Sequence, residues 1–131
     1  MIEVGDRAPS FKLPAAGGGD ISLSELKGKK VVLYFYPKDD TPGCTKEACS
    51  FQENAGPLKK KGAVVLGVSA DSVASHDKFA SKYTLQFPLL SDETKEVCKS
   101  YGVWKEKSMY GRTFMGIERT TFIIDEEGKI K

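Results

Sequence analysis

From Tyr36 to Cys49 the chain reads Tyr-Pro-Lys-Asp-Asp-Thr-Pro-Gly-Cys-Thr-Lys-Glu-Ala-Cys, and its two cysteines, five residues apart, are the groups best suited to chemistry. The segment follows an apolar, strand-like run and opens what reads as a helix. Cys44 then falls in the first helical turn, where free backbone N–H groups and the helix dipole favour an anion. A cysteine held there leans toward the thiolate, which is the attacking form. One activated sulfur with another nearby to trap its oxidised form is the minimal equipment of a thiol redox enzyme.

Cys44 and Cys49 must be positioned by a fold, and the composition bounds what fold that is. A chain of 131 residues fits one domain with a real core. The net charge of +2 gives no support to a nucleic-acid or acidic-membrane partner. No apolar run approaches the roughly 20 residues of a membrane span. Residues 1–7, Met-Ile-Glu-Val-Gly-Asp-Arg, lack an apolar signal core, so export is not expected and a cytoplasmic location is. Three cysteines, an odd number, argue for reduced thiols rather than a disulfide framework. With one histidine and no Cys-x-x-Cys pair, neither a metal nor another cofactor is expected.

Two uninterrupted apolar runs, Val31–Tyr36 and Ala63–Val68, read as strands buried on both faces. Thr120–Ile124 is a third strand candidate, ended by the turn-like sequence at 125–128. Helical patterns cover about Cys44 to Lys60, with a break or kink expected at Gly56-Pro57, about Val73 to Tyr83, and about Thr94 to Tyr101. Asp71, Ser72 and Asp92 are candidate caps. The glycines after Ala15 suggest a turn between two short extended pieces. Strand–helix alternation predicts an α/β layer fold. Residues 128–131 look like the start of a further strand.

Pro37-x-x-x-Thr41-x-x-Cys44 resembles the active-site signature of the peroxiredoxins. With Gly43 before Cys44 and Cys49 after it, the string resembles the bacterioferritin-comigratory-protein or Q-type subgroup. Further matches are Gly5-Asp6-x-Ala8-Pro9-x-Phe11, Phe87-Pro88-Leu89-Leu90-Ser91-Asp92, Tyr101-Gly102-Val103-Trp104 and Arg119-Thr120-Thr121-Phe122-Ile123-Ile124-Asp125. The resemblance implies a thioredoxin-like fold, a central mixed sheet flanked by helices with an N-terminal extension, as a single domain over 1–131. It implies antioxidant reduction of hydrogen peroxide and organic hydroperoxides, recycling by thioredoxin, and a subgroup that is often monomeric. The family continues with a further strand and a C-terminal helix, which are expected to be missing here.

The same resemblance makes Cys44 the peroxidatic cysteine, Cys49 the resolving one, and Arg119 the cation beside the thiolate. Thr41 has a hydroxyl suited to the peroxide, Pro37 would shield the sulfur and fix the loop, and Glu47 would orient the arginine. On a regular helix, residues five apart have Cα atoms roughly 8–9 Å apart, beyond the roughly 7 Å that a disulfide tolerates. A Cys44–Cys49 bond therefore requires the first turns of the helix to unwind.

Cys98 reads as a buried structural thiol, given its helical spacing to Tyr101. His76 shares a face with Phe79, Ala80 and Tyr83 and reads as a partly covered packing residue. Trp104 and Tyr110 fall in a loop-like region, and Lys59–Lys61 read as a solvated helix end. A thioredoxin-like disulfide oxidoreductase is the nearest alternative, and the lack of Cys-x-x-Cys counts against it. A redox sensor or holdase is the alternative from another class, and multiple turnover separates it from an enzyme.

Overall fold

The computed structural model describes residues 2–131. The three glycines 17–19 all take positive φ, a region open chiefly to a residue without Cβ. They turn the chain between two short antiparallel strands, Lys12–Pro14 (β1) and Asp20–Ser22 (β2). This hairpin is the N-terminal extension. It caps an edge of the main sheet, where Ala16 N–H donates to Leu89 O at 2.9 Å, leaving that edge less open to stray pairing.

The apolar runs form the centre of that sheet. In chain order come Lys30–Phe35 (β3), Pro42–Lys60 (α1), Ala63–Ser69 (β4), Val73–Tyr83 (α2), Leu89–Ser91 (β5) and Glu96–Ser100 (α3). Trp104–Met109 (β6), Arg112–Ile117 (β7) and Thr120–Ile124 (β8) follow. The sheet order is β5-β4-β3-β8, with β3, β4 and β5 parallel and β8 antiparallel to β3. A mixed sheet with helices on both sides is the α/β arrangement expected.

Strand β3 is apolar on both faces because both are covered. Val31, Leu33 and Phe35 join Phe11, Leu13, Cys98, Tyr101 and Ile124 in one core layer. Val32, Tyr34 and Tyr36 pack on the other side with Cys44, Ala48, Phe79 and Phe87. Tyr34 lies across Gly67 of β4, where an added Cβ would come within 2.9 Å of its ring. The ring then stacks on Phe51 of α1 with centroids 4.5 Å apart.

Four details differ from expectation. Helix α1 continues through Gly56 and Pro57 without a break. Both residues are exposed, so the carbonyl that loses its N–H partner can turn to water. The third helix is shorter than expected, Glu96–Ser100, yet Asp92 still acts on its start, accepting from Cys98 N at 2.7 Å. Trp104 and Tyr110 lie in a β-hairpin, not a loop: Tyr110 and Gly111, both at positive φ, make its two-residue turn. His76 is fully buried and hydrogen-bonded rather than partly covered. After the turn at 125–128, Ile130 bridges back to Ile124, as the strand-like reading of 128–131 anticipates.

Candidate active site

Cys44 stands in the first turn of α1, directly after the loop that leaves β3. Thr41 is the residue before the helix, extended at φ −101° and ψ 154°, and Pro42 occupies the first helical position. Proline is pre-set for that place and has no N–H to leave unpaired. The amides of Gly43 and Cys44 follow, and first-turn amides have no acceptor within their own helix. The positive end of α1 therefore surrounds a sulfur whose residue is only 1 % exposed.

Arg119 reaches this sulfur from the short link between β7 and β8. Its Nη2 donates to Cys44 Sγ at 3.2 Å and its Nη1 to Glu47 Oε1 at 2.7 Å. Glu47 is one helical turn beyond Cys44, so the two acceptors sit on one face of α1 and take two prongs of one guanidinium. Partial burial works against the charge of Arg119, but the bonds to Cys44 and Glu47 outweigh it and hold its pKa above the ordinary value. Gly43 makes room for this contact, since a Cβ there would lie 3.2 Å from Arg119 Nη2.

The remaining expected residues lie nearby with less specific contacts. The Thr41 hydroxyl donates to Lys38 O at 3.1 Å and makes no capping bond to α1. Pro37 is exposed in the same loop. Cys49 is half-buried two turns along α1, and all three cysteines are free thiols. Cys98 is fully buried on the opposite side of the sheet, where burial and the neighbouring Asp92 carboxylate push its thiol pKa up. That leaves it protonated and inert.

One polar cluster beside the loop escaped the sequence reading. Asp39 is buried, and its carboxylate accepts from Tyr36 Oη at 2.6 Å and Ser75 Oγ at 2.8 Å, and meets His76 Nδ1 at 2.7 Å. Asp71 takes the Asp39 amide at 2.8 Å and the Ser69 hydroxyl at 2.7 Å. Asp39, Asp71 and His76 are close enough together to hold a cation. Both Asp39 oxygens and Asp71 Oδ2, however, already meet donors from the chain itself, which makes the cluster a hydrogen-bonded anchor. A lone histidine on an apolar helical stripe was the available signal, because a histidine buried there must find partners.

The model of the AhpC/TSA family matches residues 4–131. The chain belongs to that family, among the peroxiredoxins of the Bcp type. Peroxiredoxin Bcp of Escherichia coli (strain K12) is 48% identical over 130 residues, covering 99% of this chain and 83% of that protein. A Bcp relative from Coxiella burnetii is 60% identical over 129 residues, covering 98% of this chain and 85% of that protein. Among solved structures, a mutant PrxQ of Xylella fastidiosa superposes with a TM-score of 0.94 at 40% identity, covering 99% of this chain and 83% of that one. Bacterioferritin comigratory protein of Xanthomonas campestris, studied for alkyl peroxide reduction, superposes at 0.87 with 45% identity, covering 92% and 76%. The thioredoxin-like fold of this peroxiredoxin is thus shared along nearly its whole length.

Proposed function

We propose that this peroxiredoxin reduces hydrogen peroxide and alkyl hydroperoxides through Cys44, is resolved by Cys49, and is recycled by thioredoxin or a similar dithiol. The contact that carries this reading is Arg119 on Cys44 Sγ, at the N-terminus of α1. The sulfur attacks one peroxide oxygen as the thiolate, the O–O bond breaks, and the departing alkoxide or hydroxide takes a proton to leave as alcohol or water. Cys44 becomes a sulfenic acid. Donors already aimed at the site, the guanidinium and the first-turn amides, suit the charge growing on the departing oxygen.

The Cys49 thiol then attacks the Cys44 sulfenic sulfur, a disulfide forms, and water leaves. Helix α1 is regular from Pro42 to Lys60, so this step needs the first turns to unwind. Only Cys44 and Ala48 of α1 are fully buried, and a helix with so little burial opens at modest cost. A dithiol reductant then exchanges with the disulfide and restores both thiols.

Among the described residues no helix is long and apolar enough to cross a membrane. We place the activity in the cytoplasm, acting in antioxidant defence and redox homeostasis as a monomer without nucleic-acid or membrane partners. Peroxide consumption with thioredoxin, thioredoxin reductase and NADPH, beside Cys44→Ser, tests the core of the proposal. Steady turnover that vanishes in the variant supports it. A folded protein that stops after one equivalent would identify a sensor instead.

A further inference from the structure

The loop ahead of α1 carries more side-chain hydrogen bonds to the rest of the protein than the first turns of α1 do. Asp39, five residues before Cys44, is tied to Tyr36, to Ser75 and His76 on α2, and through its amide to Asp71. His76 Nε2 lies 2.9 Å from Leu90 O on β5. A carbonyl oxygen only accepts, so Nε2 donates there, and Nδ1 meets Asp39 Oδ2 at 2.7 Å. His76 thus bridges the loop to the sheet with no ring nitrogen left over. Asp40 adds a second tie, at φ 55°, accepting from Lys82 Nζ and Tyr83 Oη at 2.8 Å each. Beyond Thr41, by contrast, the first turns of α1 are held by two buried side chains and the Arg119 contacts.

We propose that Asp39 and His76 are positioning residues of the peroxidase, fixing the point from which α1 unwinds to form the disulfide and to which it rewinds. The inference rests on the reading of Cys44 and Cys49 given above. Unwinding frees Cys44 to move toward Cys49. Rewinding must return the Gly43 and Cys44 amides to the same place, or the sulfur no longer meets Arg119. A largely buried network in which every Asp39 and His76 side-chain nitrogen and oxygen has a partner is rigid in the way this task requires, since loosening one member leaves the others unpaired. Removing either side chain should therefore separate the two half-reactions. Oxidation of Cys44 by peroxide slows, because the folded site is less often assembled. Disulfide formation speeds up, because the unwound state is more populated.

The test is stopped-flow measurement of both steps in His76→Gln, Asp39→Asn and the double variant, with amide hydrogen exchange of residues 38–48 in the reduced protein. A Val103→Ala control loses buried volume on the opposite side of the sheet. The expected result is about tenfold slower Cys44 oxidation, faster disulfide formation and faster loop exchange in each single variant. The double variant should be no worse than either single one, and the control should show no such split. Additive effects, unchanged loop exchange, or the same split in the control would overturn the inference. Where the buried variants fail to fold, Ser75→Ala removes one bond to Asp39 and should show the split more weakly; its absence there also overturns the inference. Failure of the Cys49 reading is separate, because Cys49→Ser would then leave turnover intact while loop exchange in His76→Gln still rises.

Discussion

A side chain on Gly43 would crowd the Arg119 guanidinium, with a Cβ only 3.2 Å from Nη2. The guanidinium is the far end of a flexible chain and can retreat by a few tenths of an ångström. Such a retreat lengthens its contact with Cys44 Sγ. Gly43→Ala should therefore leave folding unharmed, or improve it by up to about 0.8 kcal/mol through helix propensity. Reaction with peroxide should slow by about tenfold, because small misplacements in a site are costly. Thermal melting and the second-order rate of Cys44 oxidation check both halves. An unchanged rate would mean that the glycine serves the backbone alone.

Arg119→Lys separates charge from geometry. Lysine keeps the cation but loses the fork that grips Cys44 and Glu47 together. Oxidation of Cys44 should slow by about a hundredfold, in the range seen when one preorganised donor is lost. Stability should change by less than about 1 kcal/mol, since the Glu47–Arg119 pair is partly in water. A variant that unfolds early but reacts normally would reverse that assignment of roles.

How much of this site was legible follows from where each signal resides. The runs at β3 and β4 needed only composition, because a strand covered on both faces is apolar throughout. Cys44 was readable from the motif, whose spacing the helix start imposes, whereas Glu47 and Arg119 followed from the family resemblance, Arg119 through the stretch 119–125. The β6–β7 hairpin was not. Lys105, Glu106 and Lys107 sit in a two-stranded sheet that is largely in water, so no alternation marks it. Asp39 and His76 are 37 residues apart and meet only because α2 packs beside the loop. Nothing local to either residue encodes that partner.

Asp40 gives a prediction in pH. The bond from Lys82, then that from Tyr83, holds its carboxyl below the ordinary 3.8. A carboxyl depressed in the folded state adds stability that is present above 3.8 and is lost as pH falls through the lower folded value. Asp40→Asn tolerates the same positive φ and lacks the charge. Its melting temperature should sit slightly below the parent at pH 6, and the gap should close below pH 3.8. The effect is small, since exposed charges are screened. Melting curves of both proteins from pH 6 to 2 decide it; a gap that widens in acid contradicts the sign.

Cys49 is the residue on which the proposed cycle turns, and its position makes the expected behaviour specific. It lies on the same unbroken helix as Cys44, and neither is bonded. Cα atoms five residues apart on a helix are too far apart for a disulfide. If the pair resolves internally, the oxidised protein cannot keep the first turns of α1. Amides 43–50 should then exchange with solvent at least about a hundredfold faster in the oxidised form than in the reduced one, while β3 and β4 stay protected. Cys49→Ser should abolish thioredoxin-driven turnover yet still consume one equivalent of peroxide, stopping at the Cys44 sulfenic acid. In that variant α1 should keep its protection after oxidation, because nothing pulls Cys44 away from Arg119. Peptide-resolved exchange on the oxidised parent and the oxidised variant reads both expectations together. Protection of α1 in an oxidised parent that carries the Cys44–Cys49 bond is the outcome that the helix geometry forbids.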